Sequence, residues 1–98
     1  MSGFVVTVAF RIKPEHRAEF RLAMLENAKS SVEDEPGCSV FDVCEGKDGD
    51  IFLYEVYDDE PAFKAHLATD HFKRFDSKVA PWVVDKRVTT YHRLDSAN

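Results

Sequence analysis

The stretch Asp50–Phe75, DIFLYEVYDDEPAFKAHLATDHFKRF, decides how this chain is read. It opens as an aromatic-rich strand, Ile51–Tyr57. It turns at three consecutive acids and continues as a helical stretch carrying His66 and His71. One phase of the strand is Ile51, Leu53, Glu55 and Tyr57; the other is Phe52, Tyr54 and Val56. A sheet with one wet face alternates apolar and polar residues. Here both phases are mostly apolar, so both faces are expected to be covered. The same stretch gathers a strand carboxylate, polar aromatics and two imidazoles. That set can bind a planar organic molecule and move its protons.

Upstream, Phe4–Ile12 (FVVTVAFRI) reads as another strand with two apolar phases. Pro14 suits the first turn of a helix. Phe20, Met24, Ala28 and Val32, with Ala23 beside them, mark its apolar stripe from about Glu15 to Glu33. Pro36-Gly37 stops that helix. Glu33, Asp34 and Glu35 oppose its dipole, so this end is expected to fray. Cys38–Glu45 reads as a second strand, paired with Ile51–Tyr57 across a turn at Gly46–Gly49. Asp58 is placed to cap a helix running through Phe63 and Leu67 to about Ala68, with Pro61 in its first turn. Thr69 caps a further helix whose Phe72, Phe75 and Val79 share a face. Pro81 ends it, and Val83–Leu94 reads as the last strand. The polar tail Asp95–Asn98 is expected to be loose.

This order, β-α-β-β-α-β, predicts an α+β, ferredoxin-like fold: an antiparallel four-stranded sheet with the helices on one face. Two sheets pressed together in a homodimer, a dimeric α/β barrel, would cover the other face. The 98 residues suit a single domain, 1–98, with its core over about 4–94. A net charge of −5 with no Lys/Arg cluster argues against nucleic acid or an anionic membrane as partner. No apolar run approaches a membrane span. The opening MSGFVVTVAF lacks the basic and apolar regions of a signal peptide. Cys38 and Cys44 would share a face roughly 20 Å apart, too far to bridge. They read as reduced, half-buried thiols of a cytoplasmic protein.

Among candidate site residues, His66 lies at the border of the helical stripe, three residues after Phe63. It reads as a general base or as a boundary histidine bonded to a backbone carbonyl. His71 falls in the first turn after Thr69, where the helix N-terminus disfavours imidazolium. It reads as a proton acceptor or a capping residue. The i, i+5 spacing across a helix break argues against a shared metal. Glu55, flanked by Leu53 and Tyr57, must pair or have its pKa raised. It reads as a partner for a histidine or for a basic residue of a dimer mate. Phe41, Tyr57, Phe72, Phe75 and Trp82 are candidates for an aromatic wall, with Phe72 and Phe75 also suited to the core. His16 and His92 read as surface residues. Lys13, Lys73 and Arg74 do not converge into a phosphate cradle, and neither cysteine has a base near it in sequence.

The run EPGCSVFDVCE, followed by DIFLYEVYDDEPAFKAHLATDHFKRF, resembles the small antibiotic-biosynthesis-monooxygenase domains. These include bacterial quinol monooxygenases and autoinducer-2 phosphate-processing enzymes. The resemblance spans Phe4 to Leu94. It rests on Pro36-Gly37-Cys38, Phe41-Asp42-Val43, Leu53-Tyr54-Glu55-Val56-Tyr57, Phe63, His66 and His71-Phe72. It implies a ferredoxin-like protomer that dimerises, and oxygenase chemistry without metal, haem or flavin. Haem-degrading relatives use an Asn on the first strand; this chain has only Thr7 there. The expected function is a cofactor-independent monooxygenase acting on a small phenolic, quinol-like or polyketide-like substrate. His66 or His71 would remove its proton, Glu55 would assist, and Phe41, Tyr57, Phe72 and Trp82 would bind it. The alternatives are an isomerase of a small phosphorylated dihydroxy-ketone and a barrel that binds a small ligand without catalysis.

Overall fold

Every segment marked in the sequence forms. In a computed structural model, which describes residues 3–95, β1 (Gly3–Ile12) leads through a 3-10 turn at Pro14–His16 into α1 (Arg17–Asp34). β2 (Cys38–Glu45), β3 (Ile51–Tyr57), α2 (Glu60–Leu67), α3 (Asp70–Val79) and β4 (Val83–Arg93) follow. Residues 1–2 of the opening segment and 96–98 of the expected loose tail lie outside the described residues. The sheet runs β2-β3-β1-β4 and is antiparallel throughout, which is the ferredoxin-like arrangement.

β1 lies between β3 and β4 and pairs antiparallel with both. Phe4, Val6, Val8, Phe10 and Ile12 point toward the helices and join Phe20, Met24, Phe75 and Val79 in the core. On the opposite face, Phe52, Tyr54 and Tyr91 keep 43%, 37% and 52% of their surface exposed. Among the described residues, no helix is long and apolar enough to cross a membrane.

Three expectations shift, each for a local reason. Steps of four residues each advance about 40° around a helix. The stripe Phe20, Met24, Ala28 therefore drifts off the core by Val32, which is 45% exposed, and the buried face continues through Asn27 and Ser31. In β2 the pairing register slips between Cys38 and Val40. A slip of one residue reverses the side-chain phase. Cys38 is therefore buried and Cys44 exposed, on opposite faces rather than half-buried on one, and both are free thiols. At the start of α2, the capping acid is Asp59, one residue beyond Asp58; its carboxylate accepts the Ala62 N–H at 2.9 Å. Thr69 caps α3 as expected, its hydroxyl accepting the Phe72 N–H at 3.2 Å.

Gly37 sets how closely α2 approaches the sheet. Its carbonyl accepts the Asp58 N–H at 2.9 Å. A Cβ at this position would lie 2.6 Å from the Ala62 Cβ. Ala62 has no flexible end to move aside, so α2 itself would have to shift. Gly37→Ala is expected to destabilise the protein by about 1–3 kcal/mol in urea unfolding. Gly46→Ala, whose Cβ would meet only the Asp50 carbonyl oxygen at 3.7 Å, is expected to stay within about 1 kcal/mol of the parent. Equal costs for the two variants would remove close helix approach as the reason for Gly37.

Candidate active site

The site begins at the C-terminal end of α1. Glu35 follows the last helical residue, its N–H bonded to the Ser31 carbonyl at 3.1 Å. A carboxylate here opposes the helix dipole. The helix nevertheless keeps its hydrogen bonding to this end, and two imidazoles hold that carboxylate. Glu35 Oε2 lies 2.9 Å from His66 Nδ1 and 2.6 Å from His71 Nε2. The three side chains are 10%, 3% and 15% exposed. α2 supplies His66 and the first turn of α3 supplies His71. Thr69 ties the two helices together, its hydroxyl donating to the His66 carbonyl at 2.7 Å. The helix break at Thr69 brings the two rings to a centroid separation of 6.1 Å.

A carboxylate only accepts, so the hydrogen-bond network assigns a proton to each nitrogen that faces it. His66 then presents Nδ1–H to Glu35 and keeps its lone pair on Nε2. Burial pushes the His66 pKa below its ordinary value of 6.5. The hydrogen bond and charge of Glu35 oppose that shift, and His71 adds to it. A neutral imidazole held in one tautomer by a buried carboxylate is the arrangement a general base needs.

Aromatic rings surround this imidazole. Phe72, Tyr57, Phe41 and Phe63 have ring centroids 5.1, 5.5, 5.9 and 6.3 Å from it. Between the sheet and α2–α3 lies a cavity of about 50 Å³, with Phe41, Glu55, His66 and Phe72 among its walls. Glu55 does not orient a histidine within the chain; Glu35 takes that role. Glu55 Oε1 instead accepts a hydrogen bond from the Tyr57 hydroxyl at 2.5 Å. Burial raises the Glu55 pKa from 4.5 to about 7, with the Tyr57 hydrogen bond opposing the shift. Burial and the adjacent Glu55 push the Tyr57 phenol above its ordinary 10, so it remains a donor. Cys38 is pushed up to about 12 by burial and by Glu35 and Glu55, which leaves it an inert thiol.

The structure thus brings Phe41, Glu55, Tyr57, His66 and Phe72 together and sets His71 on the far side of Glu35. Trp82 is not among the cavity walls. It stacks on His16 with a centroid separation of 5.2 Å, because the Pro81 turn carries it toward the start of α1. His16 also bonds Glu19 at 3.0 Å, and His92 is exposed. Glu35 was missed as a site residue. Its signal in the sequence was an acid at the helix end where acids are disfavoured. Its donor atom and those of His66 and His71 lie within 4.8 Å of one another. Two histidines and a carboxylate are a ligand set suited to divalent transition metals. The i, i+5 spacing concealed it, because the third donor comes from another helix. The same three groups also satisfy one another as hydrogen-bond partners.

The sequence profile of the antibiotic biosynthesis monooxygenases matches residues 3–78. The chain belongs to this family. Solved structures agree in fold. One from Nitrosomonas europaea, provisionally named an antibiotic biosynthesis monooxygenase, is 27% identical with a TM-score of 0.89, covering 94% of this chain and 90% of that one. A provisionally named family member from Bacteroides thetaiotaomicron is 26% identical with a TM-score of 0.90, covering 98% and 93%. Rv0793 from Mycobacterium tuberculosis, at 24% identity, a TM-score of 0.88 and coverage of 98% and 99%, shares the fold. A comparison with curated proteins finds no match.

Two of the shifted groups of this family member, Glu55 and His66, give the stability opposite dependences on pH. Glu55 binds its proton more tightly when folded. Its contribution is complete below pH 4.5 and is lost as pH rises through about 7. His66 binds its proton less tightly when folded. Its contribution is present above 6.5 and is lost as pH falls through the folded value. Glu55→Gln removes the first dependence alone. Between pH 5 and pH 8 it is expected to gain about 2–3 kcal/mol on the parent in urea unfolding. Parallel curves for parent and variant would mean that Glu55 is not protonated in the fold.

Proposed function

We propose that the cavity beside His66 is the active site of a cofactor-independent monooxygenase that oxidises a small phenolic or quinol-like substrate. The observation that carries this reading is the Glu35–His66 pair. A buried carboxylate directs one nitrogen inward, and the lone pair on Nε2 belongs to a ring among the walls of an aromatic cavity. Nε2 takes the phenolic or enolic proton of the substrate. The resulting electron-rich anion passes electrons to O₂. One oxygen atom enters the substrate, the other leaves as water, and the substrate supplies the electrons for both. The protein contributes deprotonation, positioning and the exclusion of water.

The size of the cavity bears on this. Its volume of about 50 Å³ is roughly a third of the 150 Å³ that accommodates benzene. A ring therefore enters by displacing side chains at the rim. Leu67 and Val88 line the cavity and are 39% and 49% exposed, so they have room to swing outward. Family membership alone does not separate this reading from isomerisation of a phosphorylated ketone, but the solved relatives named as monooxygenases favour the oxygenase.

The assembly in this proposal is a homodimer closed by the open sheet face. Phe52, Tyr54 and Tyr91 are exposed there on neighbouring strands, and a second copy of the same sheet covers them.

An oxygen electrode tests the chemistry. The protein is expected to consume oxygen with a subset of quinols and phenols, at the same rate with and without a chelator. His66→Ala is expected to lower that rate by about 10²–10⁴-fold. Product formation without oxygen uptake would point to isomerisation, and an unchanged rate in His66→Ala would remove His66 as the base. Sedimentation tests the assembly: the parent is expected to run as a dimer and Tyr54→Arg as a monomer. A monomeric parent would leave the open face without its proposed cover.

A further inference from the structure

Asn27 lies in the middle of α1, on the side that packs against the sheet, and is 5% exposed. Asparagine is a poor helix former, and a buried acceptor without a donor is costly. Yet Asn27 Oδ1 has no hydrogen-bond partner among the described residues. The neighbouring Ser31 hydroxyl goes to the Asn27 backbone carbonyl, at 2.8 Å, and not to its side chain. A leucine would suit both the helix and the core better.

Its place in the fold suggests a use. Asn27 lines the aromatic cavity that contains Glu55, His66 and Phe72. It also lines a cleft of about 270 Å³ between α1 and α3, together with Ser30, His71 and Arg74. Among the described residues, only Asn27 and Phe75 border both spaces. Phe75 offers no acceptor, so Asn27 Oδ1 is the neutral hydrogen-bond acceptor at this junction.

We propose that Asn27 is a specificity residue. Its Oδ1 accepts a hydrogen bond from a second hydroxyl on the ring whose first hydroxyl meets His66, so the site prefers dihydroxylated rings to monohydroxylated ones. This rests on the active site proposed above and adds what the far end of the substrate must carry. A ligand lacking that hydroxyl leaves the acceptor unpaired, which is a stronger basis for rejection than a difference in size.

The test measures binding of 1,4-dihydroxybenzene and 4-methylphenol under nitrogen, by titration calorimetry, so that no turnover is needed. The two rings are similar in size and differ by one hydroxyl. The parent is expected to bind the diol about tenfold more tightly, the effect of one buried hydrogen bond. In Asn27→Leu the preference is expected to fall to within twofold, with a urea midpoint no lower than the parent's. Asn27→Ala provides the same ratio should the leucine variant fold poorly. A ratio unchanged in the folded variants, a parent ratio near one, or no binding of either ring at millimolar concentration would overturn the proposal. Oxygen uptake separates it from the reading beneath it. A collapsed ratio with no uptake by the parent removes the oxygenase and keeps the role of Asn27. Uptake with an unchanged ratio does the reverse.

Discussion

The carboxylate of Glu35 connects parts of the chain that would otherwise be independent. It closes the C-terminal end of α1, receives an N–H from α2 through His66 and another from α3 through His71, and is only 10% exposed. Each contact needs the others. An unpaired carboxylate at that depth would be expensive, and the buried His66 and half-buried His71 without it would have no fixed tautomer. The close approach of α2 at Gly37 and the Thr69 cap follow from the same geometry. They bring His66 to the carboxylate on one side and to the aromatic cavity on the other.

Inside that cavity the usual order of acid and base is inverted. Burial makes His66 a weaker base and Glu55 a weaker acid than either would be in water. Near neutral pH the cavity therefore holds an uncharged imidazole and a carboxyl that retains much of its proton. Groups whose environments drive their pKa values away from the ordinary order are the usual acid–base pairs of active sites. The Tyr57 hydroxyl holds the carboxyl in place without ionising itself. The cavity can thus exchange protons with a ligand without holding a net charge away from water.

Most of the fold was legible because its signals are local. Pro36-Gly37, Pro81 and the Gly46–Gly49 turn end elements wherever they occur. The strands expected at Cys38–Glu45 and Ile51–Tyr57 have those bounds in the structure. The misreadings involve phase. A stripe in strict steps of four runs through Val32, which a helix of 3.6 residues per turn does not sustain. Counting along β2 puts Cys44 on the face of Cys38, and the register slip after Cys38 reverses it. The site was legible in part. Phe41, Glu55, His66 and Phe72 line one cavity, and Tyr57 lies behind its wall, bonded to Glu55. Trp82 is aromatic and lies outside the helical stripe, but a ring's partner depends on where the chain carries it, here to His16.

Residue order and side-chain type alone determined the alternation of strands and helices, and with it the antiparallel sheet with helices on one face. They also determined that the opposite face would be apolar, because each of these rests on neighbours within a few residues of one another. Only the tertiary structure decided which acid meets the histidines. Glu55 is close to them in sequence, yet Glu35 is their partner, because a crossover helix and a close helix approach bring together residues 31 and 36 positions apart. Hydrogen bonding and burial act through space, so the chemistry of this site appears only once the chain has closed on itself.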